Sequence, residues 1–133
     1  SNTARWMMIS GTLLLLFVVF HLAQFTFGAV GGARFVEGAV YANLYYAFQR
    51  WFFAGLYILV MGGLALHVHH GVWSLFQTLG LDNPDRNRAF RLLATLSSIG
   101  LFIGFAAVPV LFYLGVMPLP PATESMQLAE GVM

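Results

Sequence analysis

The chain has 133 residues, of which 59% are hydrophobic and 8% charged, with a net charge of +1 and no cysteine. Soluble domains carry about 25% charged residues, so this is the composition of a membrane protein. The thin charge offers no basic patch for nucleic acid, and the missing thiols exclude a disulfide framework, a self-held iron–sulfur cluster and a cysteine nucleophile.

Charge-free stretches run from Trp6 to Ala33, Trp51 to Leu81 and Leu92 to Thr123. Each exceeds the roughly 20 apolar residues that cross a bilayer core of about 30 Å, and each is too long and continuous for a barrel strand. The expected fold is therefore all-α, an integral membrane bundle with transmembrane helices near 6–28, 51–78 and 92–116. A transmembrane unit over 1–117 and an exposed, loosely ordered tail over 118–133 follow from the prolines that close the last span. The chain starts at Ser1, so residues can be missing upstream. A signal peptide over 5–33 is disfavoured because its apolar run is longer than the usual 7–15 residues.

On the first helix, Ser10, Phe17, His21 and Gln24 share one face at 100° per residue, giving a polar edge that should face protein. Gly28 to Gly38 reads as a Gly-rich turn containing Arg34 and Glu37. The aromatic-rich stretch 39–50 reads as a short interfacial helix or an extension of the second span, its rings acting as anchors. The second helix carries three of the four histidines in His67-Val68-His69-His70. Gly63, His67, His70, Gly71 and Ser74 fall together on its wheel, while His69 points nearly the opposite way. Small residues one turn either side of His67 leave room for a bulky group or for a close helix neighbour. Residues 80–91 form a polar connector. On the third helix Ser97, Gly100 and Gly104 make a small-residue packing stripe, and Pro109 is expected to kink the far end.

Arginine counts set the orientation. Arg5 and the connector with Arg86, Arg88 and Arg91 belong on the cytoplasmic side, opposite Arg34 and Arg50, which leaves the C-terminus outside.

An imidazole at membrane depth marks a functional site by default. At 1.5 Å per residue, His21 lies roughly 22 Å from the inner face and His67 roughly 24 Å from the outer one. The two differ by about 15 Å along the normal and cannot hold one iron through opposite faces of a macrocycle. His70 shares a helix with His67 and the third span has no histidine, so the chain alone builds no bis-histidine site. Three readings stay open: five-coordinate sites, structural histidines, or ligands from further helices. With no Asp or Glu in any span, ion or metal transport is disfavoured.

Phe20-His21-Leu22, Phe35-Val36-Glu37-Gly38 with Val40-Tyr41, and above all Leu66-His67-x-x-His70-Gly71-Val72-Trp73-Ser74-x-x-Gln77-Thr78-Leu79-Gly80 resemble the cytochrome b anchor subunit of bacterial succinate dehydrogenases. The likeness is to the five-helix, two-haem kind and covers most of residues 5–117, matching only that family's last three helices. It implies two b haems, with His21 an axial ligand of the distal iron and His67 of the proximal one. By their place on the wheel Gly63 and Gly71 would make space beside His67, and His70 either satisfies a helix neighbour or bonds a haem propionate or a quinone. No catalytic residue is expected here, because dicarboxylate chemistry would belong to a flavoprotein partner. The implied partners are that flavoprotein, an iron–sulfur subunit, lipid, (mena)quinone and a further segment or chain supplying two histidine-bearing helices. The implied place is the bacterial cytoplasmic membrane. Where related fumarate reductases carry a membrane glutamate, this chain has Ala65. The alternative function is a haem-free structural anchor whose histidines only bridge helices.

Overall fold

A computed structural model describes residues 2–30 and 35–122, with the side chains of Asn2 and Thr3 excepted. The described residues form four helices and no strand: α1 (Asn2–Phe25), α2 (Val40–Phe48), α3 (Trp51–Thr78) and α4 (Pro84–Tyr113). Three of them, Ala4–Phe25 in α1, α3 and α4, are long and apolar enough to cross a membrane. The expected all-helical bundle with three spans is thus what the chain forms.

The helix ends follow local chemistry. Helix α1 stops three residues earlier than the apolar run suggests, because Gly28 takes a left-handed φ of +63° and unwinds the last turn. Its closing bonds run from the Phe27 and Ala29 N–H groups to the carbonyls of Leu22 and Ala23. Gly80, at φ +71°, ends α3 in the same way, with Leu81 N–H donating to Phe76 O. Such C-terminal turns favour glycine because a Cβ opposes the left-handed conformation.

The polar connector is shorter than expected, since α4 begins at Pro84 and not near 92. Asn83 caps the helix by accepting from Asp85 N–H at 2.9 Å, and Pro84 fills the first helical position. Asn87 closes the turn from within the helix, donating to Asp82 at 2.6 Å and accepting from Asn83 N–H. Exclusion of charge marks where a helix enters lipid; capping chemistry marks where it begins.

Neighbouring spans run antiparallel. Helix α1 meets α3 at Met7 against Gly71, Ser10 against His67 and His21 against Tyr57, each step up one helix being a step down the other. Helix α4 meets α3 through Phe102 beside Gly62, Arg91 over the Trp73 ring at 4.5 Å, and Phe76 stacked on Phe90 with centroids 4.1 Å apart. The small-residue stripe Ser97, Gly100 and Gly104 does not pack on another described helix of this chain. Gly100 and Gly104 are exposed with open space above them, and α4 buries Ala94, Ser98, Ala106, Pro109 and Phe112 instead. Helix α4 continues as α-helix past Pro109 to Tyr113.

The core lies at one end of the bundle. Phe48, Ala54, Tyr57 and Phe112 are buried together, with Phe17, Phe20, Phe25, Tyr41 and Tyr45 packed around them. The short helix at 39–50 exists as expected, but its aromatics are more than anchors: Phe48 is 2% exposed and sits edge-on to Tyr57 at 5.0 Å. Asn43 pins the loop before α2 by bonding both the N–H and the carbonyl of Val36. Gln49 then ties α2 to the end of α4 by donating to Phe112 O at 2.6 Å. The start of the tail is docked, not loose, since Tyr41 donates to Pro118 O at 2.6 Å and Pro120 is buried. Arg34 and residues 123–133 lie outside the described residues.

Candidate functional site

Helix α3 buries no residue beyond Tyr57, so the half that carries His67, His69 and His70 is covered only in part. His67 is half-buried and turned toward α1, where its Nδ1 lies 2.9 Å from Ser10 Oγ. The serine has one hydroxyl proton and gives it to Met7 O, 3.1 Å away. With that proton engaged, the Ser10 oxygen is placed to accept from the Nδ1–H tautomer of His67, the tautomer in which Nε2 keeps its lone pair. Gly11 completes the seat: a Cβ there would stand 3.3 Å from His67 Cε1.

His21 repeats the arrangement at the other level of the bundle. Its Nδ1 is 3.3 Å from the Tyr57 hydroxyl, which donates its own proton to Gln24 Oε1 at 2.8 Å. The phenol oxygen is left to accept from Nδ1–H, and again Nε2 is the free nitrogen. Among the described residues neither Nε2 has a hydrogen-bond partner. Phe17, Phe25 and Tyr57 surround the His21 ring, while the residue's outer side is exposed. Gln24 is 4% exposed and its Nε2 has no hydrogen-bond partner among the described residues.

Compared with protein-family models, characterised proteins and solved structures, the chain matches none. The site therefore rests on its own geometry and on the resemblance already described.

Along α3 the step from Tyr57 to His67 is about 15 Å, so the two imidazoles stand at separate depths. Between those levels an apolar groove of about 430 Å³ opens between α1 and α3, lined by Leu13, Leu14, Phe17, Phe20, Val60 and Gly63 among others. Ser10, the partner of His67, stands at its rim, and a Cβ on Gly63 would meet nothing within 4 Å. Gly71 is filled differently, because the end of Met7 comes to 3.9 Å from where its Cβ would be.

The other histidines are not drawn into either arrangement. His69 and His70 touch edge to face, with centroids 5.7 Å apart, and His70 is exposed. By spacing, His69 falls on the Gly62, Trp73 and Phe76 stripe of α3 that α4 covers. No group of three or more His, Cys, Asp or Glu side chains that could hold a metal ion occurs among the described residues. A chain with one free imidazole nitrogen at each of two depths fits half of each of two axial ligand sets, and no more than half.

Two residues of this site were not singled out in the sequence. Tyr57 could have been found as a lone hydroxyl amid aliphatic residues in a span, since a buried phenol seeks a partner. Gly11 carried no comparable signal; only the tertiary packing brings it against His67.

Proposed function

We propose that this chain is a haem-carrying helical membrane anchor, in which His67 and His21 each supply one axial nitrogen, Nε2, to a b haem at opposite depths. The observation that carries this reading is the matched pair of histidines. A ligating histidine commonly donates its other ring N–H to a protein acceptor, which fixes the tautomer and the ring plane. The Ser10 and Tyr57 hydroxyl oxygens stand where acceptors of that kind would. The groove beside Gly63 supplies the apolar, uncharged wall that a macrocycle needs.

The haem would supply one-electron redox chemistry. The residues of this chain hold the imidazoles upright, exclude water along the α1 and α3 faces, and leave the second ligands to helices outside it. Combined with the resemblance, the reading is an anchor of succinate:quinone oxidoreductase. It passes electrons between an iron–sulfur subunit and (mena)quinone in the bacterial cytoplasmic membrane, while a flavoprotein subunit handles the dicarboxylate. Its arginine-bearing connector faces the cytoplasm.

The complex purified in detergent should show a dithionite-reduced b-type spectrum, and His67→Ala should remove one of two haems per complex. A purified complex without haem absorbance would refute the reading. That outcome would favour the second one, a haem-free anchor in which Ser10–His67 and His21–Tyr57 serve only to tie α1 to α3.

A further inference from the structure

We infer that Ser10 and Tyr57 are positioning residues that set the electron affinity of two separate redox centres, each through the Nδ1–H of its own histidine. The inference rests on the proposed haem ligation and goes beyond it, because it assigns a tuning function to two side chains that ligate no iron.

The two partners are chemically unlike. Ser10 is an aliphatic hydroxyl whose proton goes to the Met7 carbonyl within the same helix, so its oxygen is fixed by α1 alone. Tyr57 is a phenol on α3 whose proton goes across to Gln24 on α1, so its oxygen is held by a chain of three residues, Gln24, Tyr57 and His21. An acceptor on Nδ1–H increases the basicity of the ring and so strengthens Nε2 as a donor to the metal. A stronger donor favours the ferric state and lowers the reduction potential. The shorter contact, 2.9 Å at His67 against 3.3 Å at His21, makes Ser10 the stronger acceptor of the two.

The two partner pairs also lie about 15 Å apart along the helices, and apart from Ser10 itself the groove between α1 and α3 is lined by apolar side chains and Gly63. Each acceptor therefore acts on one centre and not on the other. Gln24 enters at one remove: it is nearly fully buried, and its carbonyl oxygen is what keeps the Tyr57 proton away from His21.

The test is a redox titration of the whole detergent-purified complex, followed at the reduced b band and resolved into two one-electron components. Ser10→Ala should raise the potential of one component and Tyr57→Phe that of the other. Each shift should correspond to about a threefold or greater change in the ferric-to-ferrous ratio, or roughly 30 mV at 59 mV per tenfold for one electron. Ser10→Thr, which keeps the hydroxyl, should restore the first component. Gln24→Leu should move the same component as Tyr57→Phe. A merely structural role would lose haem or broaden both components together. Unmoved potentials in a complex that retains both haems, or a single variant moving both components, overturn this inference and leave the haem reading standing. Wild-type complex without haem overturns both.

Discussion

The ring of His67 rests against the backbone of α1 at Gly11, where an added Cβ would come to 3.3 Å of Cε1. Glycine at this place lets the helix surface approach the imidazole, and the adjacent Ser10 hydroxyl lies within hydrogen-bond distance of its Nδ1. Seat and partner thus come from consecutive residues of one helix. Gly11→Ala should be absorbed by a few tenths of an ångström of movement and leave the haem content unchanged. Gly11→Leu places a branched side chain in the ring's own space and should displace His67, removing one haem. Haem per complex from the reduced spectrum checks this, and a Gly11→Leu complex with both haems at unchanged potentials would contradict it.

Gly63 offers the opposite case, since nothing lies within 4 Å of a Cβ built there. A larger residue costs the apoprotein no packing and gains up to about 1 kcal/mol of helix propensity. Gly63→Leu should therefore fold at least as well as the parent chain while filling the groove between α1 and α3. Helical content and thermal melting should be unchanged or improved, and haem occupancy should fall. Equal haem occupancy in the variant would show that the groove is not where the macrocycle sits.

The Asn83 cap lies outside the span and should act on stability alone. Its side chain satisfies Asp85 N–H, and its own N–H is satisfied by Asn87. Asn83→Ala should cost about 1 kcal/mol, as loss of an N-cap does elsewhere. Equilibrium unfolding in detergent measures it, with the reduced spectrum at room temperature expected to stay unchanged.

The absence of native cysteine makes orientation directly measurable. Asp85→Cys, at the exposed start of α4, and Val116→Cys, in the exposed turn after it, stand at opposite ends of one span. A membrane-impermeant thiol reagent applied to intact cells should label the second and not the first, because the arginine-rich connector belongs inside. The reverse pattern would overturn the orientation.

Much of the bundle was legible before the structure. Long charge-free runs can satisfy their backbone in lipid only as helices, so three spans followed from composition and length. The 100° wheel also put Ser10, Phe17, His21 and Gln24 on one edge of α1, and that edge is what faces α3. Boundaries were less legible: charge marks the lipid edge and not the helix end, so the Asn83 cap started α4 eight residues before the apolar run.

What only the tertiary structure decided is which residues meet. A wheel gives the angle of a side chain on its own helix and says nothing about the neighbour. The stripe of Ser97, Gly100 and Gly104 looked like a packing face because small residues permit close approach, yet α4 turns Ala94, Ser98 and Ala106 inward and leaves the two glycines open. Tyr57 beside His21 and Gly11 beside His67 depend on the axial register of α1 against α3, a quantity set by packing between helices and absent from either helix's periodicity. Composition and spacing alone lead to three apolar helices and two histidines at different depths. The register decided that each histidine meets a hydroxyl with its proton already engaged.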